Sequence, residues 1–372
     1  MLFCNGNVFV DGKFQKLDFR IEENCFVQLG EQLSGETAVD LAGKKVIPGL
    51  FDIHTHGCMG YDFSEANAQQ IEVMRRYYQS NGITSVVPTT ITAPMEPYSK
   101  AMEQIRIAAE SNQEGSRLLG INMEGPFLSK EKKGAHDPRY IIPIEEDFFE
   151  KLDNLSGNRI LIVDLDPNQQ GAMEFIKRHK DKVISLAHTE ATYETALEAF
   201  AAGADHVTHL YNAMNGIHHR KPGIIPAIFD TPDVYAELIC DGVHIHPAVM
   251  RMTFAAMGEK LVMISDSMCA CGLDDGEYEL GGLKVLVQGN LATLTDGTIA
   301  GSVTNVYLGL LNCIRCGIAP EQAILSATLN AAKSVRMEEK LGSIAPGKWA
   351  DFLVMSPDYE LEQVYQNGCR VK

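Results

Sequence analysis

The chain has 372 residues, 45 % of them apolar, and a formal charge of −17. That length and apolar share support a large core without disulfides. The acidic balance argues against nucleic acid or an anionic membrane as the main partner, and an anionic substrate would need a local cationic site.

Nine cysteines are present, an odd number without framework spacing. Cys269–Cys271 and Cys313–Cys316 are the nearest pairs. No second pair completes a tetrahedral set, so buried free thiols are expected, as suits a reducing cytosol. Asn5, Asn7 and Asp11 stand where a signal peptide would be apolar, and no apolar run reaches spanning length. The expectation is a soluble cytoplasmic protein.

The first stretch, MLFCNGNVFVDGKFQKLDFRIEENCFVQLGE, alternates short apolar runs with Asn-Gly, Asp-Gly and Glu-Asn. This is hairpin punctuation. The last stretch, from Gly342 onwards, has the same character, so residues 1–47 and 340–372 are expected to form a small β domain. Between them, over 48–339, short apolar strands alternate with helical stretches. Eight strand candidates occur, at 49–57, 83–91, 117–125, 160–167, 182–190, 205–213, 235–245 and 260–268. Amphipathic segments such as EANAQQIEVMRRYYQSNG and YETALEAFAAG lie between them. Eight βα units imply an α/β fold, a (β/α)8 TIM barrel, with right-handed crossovers. An open doubly wound sheet is the rival, but no Gly-rich fingerprint follows the first strand. Residues 269–300 read as a β-rich excursion after strand eight.

Barrel enzymes build their sites at the C-terminal ends of the strands. There the sequence places His54 and His56 (strand one), Glu124 (three), His188 (five), His209 (six) and Asp266 (eight). Any one of them alone is more simply a core or turn residue. Six ligand-type residues at five strand ends are hard to place by chance, and the set suits zinc or another divalent transition metal. His206, three residues before His209, is expected on the opposite strand face and not as a ligand. His179, in the charged KRHKDK run, is expected to be solvated. A divalent ion lowers the pKa of its water and polarises a carbonyl. Asp266 could take the water's proton and return it to a leaving group. The pattern is a template for amide or imine hydrolysis.

A strand-one His-x-His, histidines on strands five and six, and Asp on strand eight resemble the amidohydrolase superfamily. The resemblance implies a (β/α)8 barrel carrying a small β-sandwich made by both chain ends. Finer motifs are similar to the N-acetylglucosamine-6-phosphate deacetylase family: NMEGPFL (122–128), KKGAHDP (132–138), AHTEA (187–191) and THLYNAM (208–214). HRKPG (219–223), ICDGVHI (239–245), ISDSM (264–268) and GTIAGS (297–302) continue the match, in order along the barrel.

That resemblance implies roles by position. Glu124, His188 and His209 match the main metal ligands, and Asp266 the catalytic acid/base. Ala135 and His136 match a substrate-contact segment. Asn212 and Ala213 match contacts near the sugar phosphate, Arg220 a phosphate-binding arginine, and His244 a sugar or phosphate contact. Ile299, Ala300 and Gly301 match a loop closing over the sugar. The cluster His218–Lys221 could supply the local cation, since Arg grips phosphate bidentately. The family is usually dimeric, which implies a homodimer with a phosphate site shared between subunits. Some members replace the strand-one histidines with Gln and Asn and use one metal; this chain keeps both, so one or two ions per chain are implied. Zinc comes first, with iron, manganese and cobalt also tolerated by such ligands. Strand four ends in Asp166-Pro167-Asn168 where relatives often have Ala-Pro-Glu.

The leading expectation is hydrolytic deacetylation of N-acetylglucosamine 6-phosphate, with N-acetylgalactosamine 6-phosphate as the alternative. A cyclic amidohydrolase or deaminase is a further reading, weakened because strand four offers no lysine at its end. A non-catalytic barrel is a third, weakened by the complete ligand set.

Overall fold

The structure is a computed structural model that describes residues 1–35, 38–111 and 114–372. Its centre is a parallel barrel. The eight strands are Leu50–Thr55, Ile83–Thr90, Arg117–Leu118 continued by Ile121–Glu124, Ile160–Leu165, Val183–Leu186, His206–Val207, Tyr235–Ile239 and Leu261–Ile264. Neighbouring strands pair in parallel around the ring. The ring closes where Thr55 bridges Ser267 and the Asp266 amide donates to the His54 carbonyl at 2.9 Å.

Helices cover the outside. The first, Ala68–Ser80, starts where the sequence supplies a reciprocal cap: Asn67 accepts from the Gln70 amide, and Gln70 accepts from the Asn67 amide. Its buried stripe of Ile71, Met74 and Tyr78 has helical spacing and faces the strands. Helix Tyr193–Ala202 is capped by Thr192 and stops at Gly203.

Both chain ends enter one sheet. Strand Lys45–Pro48 sits between Leu2–Val10 and Phe352–Met355, so residues some 300 positions apart in sequence become neighbours. Phe3, Phe19 and Phe26 from the start of the chain pack on Phe352 from its end, with Tyr365 also against Phe3. Asp11-Gly12 and Glu23-Asn24 turn the hairpins with positive φ at every position, as two-residue hairpin turns require. Asn5-Gly6 does not turn the chain. It is a bulge inside Leu2–Val10, with the register shifting between Phe3 and Gly6.

The excursion after strand eight is a three-stranded antiparallel sheet, Gly276–Leu280, Leu283–Gln288 and Leu291–Leu294. All nine cysteines are free thiols. No described helix is long and apolar enough to cross a membrane. His179 is not solvated. It packs on Phe149 and Phe175, and its Nε2 lies 2.6 Å from Glu146. The apolar residues of the facing helix outweigh the charge of its own run.

Candidate metal centre

The six strand-end residues converge. Three of them, His188, His209 and Asp266, sit two residues past their strands with φ of 42°, 28° and 49°. This left-handed backbone costs a non-glycine residue about 1–3 kcal/mol and persists only where the surroundings hold it. Strand six stops at Val207, short of the expected 205–213, because the chain turns at His209 to aim the imidazole into the mouth. The early stop also explains His206. It is buried inside the barrel with Nδ1 3.1 Å from Ser185 Oγ and outside both ligand groups, not on the outer face that simple alternation assigns it.

Two groups of ligand-type atoms result: Glu124, His188 and His209; and His54, His56 and Asp266. In the first, Glu124 Oε1, His188 Nε2 and His209 Nε2 form a triangle with every edge 3.1 Å. Ligands about 2.0–2.2 Å from a tetrahedral ion lie roughly 3.3 Å apart, so these residues fit a divalent metal. The tautomer agrees. His188 Nδ1 lies 2.7 Å from the Lys132 carbonyl, which can only accept, so Nδ1 carries the proton and Nε2 a lone pair. Burial pushes His188 down to about 4, keeping it neutral as a ligand must be. In the second group, His54 Nε2 is buried without a hydrogen-bond partner, 3.6 Å from Asp266 Oδ1 and 3.7 Å from Glu124 Oε1. An orphaned imidazole nitrogen between two carboxylates also fits a cation. Glu124 links the groups, since its other oxygen lies 3.0 Å from His56 Nε2.

The carboxylates are held ionised. Burial works to raise Glu124, but the His136 and His54 rings beside it keep it well below its ordinary range. Burial likewise opposes Asp266, yet the hydrogen bond from His56 and the His54 ring beside it bring it to about 2. Asp266 can therefore act as a proton acceptor at neutral pH.

A cavity of about 380 Å³ opens over this centre. Of the expected substrate contacts, Ala135, His136, Asn212, Ala213, His244, Ile299 and Gly301 line it. Two do not. Ala300 is fully buried behind the loop, its amide on the Ala292 carbonyl. Arg220 is exposed and lines a separate surface cavity with Glu190, Glu194 and Lys221. Its loop runs over the surface instead of folding into the mouth.

His136 is fixed tightly. The Thr92 backbone N–H donates to its Nδ1 at 3.4 Å, and Thr92 Oγ1 lies 2.8 Å from the same atom. A backbone N–H cannot accept, so a neutral His136 carries its proton on Nε2, 3.4 Å from Glu124 Oε2. Asp166 of the unusual strand-four ending accepts from Thr189 and Asn168 and so braces the turn after His188.

Sequence reading passed over Thr92, Lys132, Leu280, Thr298, Glu237 and Asp241. Asp241 had a signal, standing three residues before His244 in CDGVH. Glu237 had none, since its strand gives no hint of which partner it meets.

Residues 45–371 match the model of the amidohydrolase family. An N-acetylglucosamine-6-phosphate deacetylase of Bacillus subtilis is 39 % identical over 332 residues, covering 86 % of this chain and 83 % of that protein. An N-acetylgalactosamine-6-phosphate deacetylase of Escherichia coli O157:H7 is 32 % identical, covering 86 % of each. A Mycobacterium smegmatis N-acetyl-D-glucosamine-6-phosphate deacetylase variant, solved with N-acetyl-D-glucosamine-6-phosphate, superposes with a TM-score of 0.93 at 28 % identity, covering 100 % of this chain and 99 % of that one. On the closed barrel, the converging ligand groups and these matches together, the chain belongs to the amidohydrolase family, alongside its N-acetylglucosamine-6-phosphate deacetylases.

Proposed function

We propose that this chain hydrolyses the acetamide of N-acetylglucosamine 6-phosphate, giving acetate and glucosamine 6-phosphate. The observation that carries this reading is one cavity holding a metal-ligand triad, an ionised Asp266 and, on its wall, His244 and Lys132 as cations for a phosphate.

Glu124, His188 and His209 would hold a divalent ion, zinc first among zinc, iron, manganese and cobalt. When bound, such an ion supplies an activated water and polarises the amide carbonyl. Asp266 accepts a proton from the attacking water at a carboxylate oxygen. It then delivers that proton to the amide nitrogen as the C–N bond breaks. Without that transfer the leaving group would be a high-energy amide anion. His136, with Nε2–H beside Glu124, is placed to donate to the carbonyl oxygen as negative charge develops there. The loop around Ile299 and Gly301, which lines the cavity, would close over the sugar.

The same reading includes a cytoplasmic setting, supported by nine free thiols, and a homodimer. The dimer is supported by Arg220, which stands outside the cavity of its own chain and is free to serve a phosphate in a partner's cavity. The galacto epimer is a second reading, favoured by the E. coli relative. The test is acetate release from both epimers, before and after chelation, with elemental analysis of the protein. Release from neither epimer by the metal-loaded protein would sink the proposal.

A further inference from the structure

We propose that Asp241 is a positioning residue that turns His244 into an anion receptor for the substrate's phosphate monoester. The inference rests on the phosphate in the reading above and names how the chain's own cavity recognises it.

Asp241 sits two residues past strand seven. Its Oδ1 accepts the amides of Val243 and His244, each at 2.9 Å, and its Oδ2 lies 2.7 Å from His244 Nδ1. The two side chains are only 3 % and 6 % exposed, so the carboxylate cannot rotate away without orphaning two amides. An ionised carboxylate only accepts, so His244 Nδ1 must carry a proton. Nε2 is then the polar atom left for a ligand. In a neutral ring it would be a lone pair, repelled by phosphate oxygens. In a protonated ring it is a charge-assisted donor, and the Asp241 charge favours that state. Burial works to lower His244, yet the hydrogen bond and charge of Asp241, with the charge of Asp266 across the cavity, leave it raised. Arg220 lies in another cavity, so the wall residues that offer positive charge away from the ligand groups are His244 and Lys132.

The test is Asp241→Asn. Asparagine keeps an oxygen for the two amides but presents an NH2 to Nδ1. The neutral ring then accepts at Nδ1 and keeps its proton at Nε2, so hydrogen bonding survives and the charge is lost. KM for N-acetylglucosamine 6-phosphate should rise about tenfold, with kcat within about twofold. Ki for inorganic phosphate should rise in parallel. Nitrogen NMR of His244 should change from a doubly protonated ring to the neutral Nε2–H form at neutral pH. In an Asp241→Asn/His244→Gln double variant the Asp241 change should add nothing to His244→Gln, because Asp241 acts through the ring. An unchanged KM and Ki in Asp241→Asn, or the same KM increase in the His244→Gln background, overturns the proposal. Were the parent protein to release no acetate, the proposed reaction would fail on its own. Phosphate binding and the NMR signature would still decide the role of Asp241.

Discussion

Glu237 and His54 meet inside the barrel, Oε2 to Nδ1 at 2.9 Å, with both side chains fully buried. The same Oε2 accepts the His209 amide at 3.1 Å. One carboxylate thus holds a residue from each ligand group, and it fixes His54 with Nδ1–H inward and Nε2 toward the centre. Glu237→Leu leaves two buried donors unpaired, each costing roughly 1–3 kcal/mol. Chemical denaturation should show that loss, and metal per chain should fall. Glu237→Gln keeps an acceptor oxygen and should lose less than half as much stability. Equal stability in the two variants would refute the bridge.

Asp266→Asn should reduce acetate release by about 100- to 10,000-fold. The ion at Glu124, His188 and His209 should be retained, because those three form a triangle without Asp266. Steady-state assay and elemental analysis of one preparation measure both. Full activity would remove Asp266 from the proton transfer.

His54→Gln with His56→Asn tests the second group. Its orphaned Nε2 and the oxygen that Glu124 turns toward His56 support a second ion there. The metal count should drop by one per chain, with acetate release reduced but present. An unchanged count would leave the pair as hydrogen-bonding residues.

Substrate binding should weaken in alkali. His244 is raised above its ordinary value by Asp241 and Asp266, so its charge is lost only as pH passes that raised value. KM should therefore rise as pH passes through the His244 titration, the phosphate being already dianionic from about pH 7. Asp241→Asn should flatten that rise. A parent KM that falls with pH would contradict the sign.

Thr92→Val should lower kcat more than it raises KM, by about tenfold in kcat, because it removes the hydroxyl at His136 Nδ1 and leaves the ring only the longer backbone contact. Thr92→Ser, which keeps the hydroxyl, should restore it. Equal kcat in both variants would assign Thr92 to packing alone.

Much of this protein was legible in its residues. Period and punctuation marked eight βα units and a β domain from both ends. Strand-end placement singled out Glu124, His188, His209, His54, His56 and Asp266, because in a parallel barrel the C-terminal ends all face one mouth. Tertiary structure decided what local pattern cannot carry. The left-handed turns at His188, His209 and Asp266 are held by the surrounding packing, since even His and Asp, which tolerate that region better than most residues, adopt it only at a cost. Glu237 lies 183 positions from His54 in the chain, and only barrel closure makes them partners. Ala300 and His179 went elsewhere than their motifs suggested, as each answers to what faces it in space, and Arg220 stands outside the cavity of its own chain. Residue type and spacing thus determined which atoms could do the chemistry, and the closed barrel determined which of them meet.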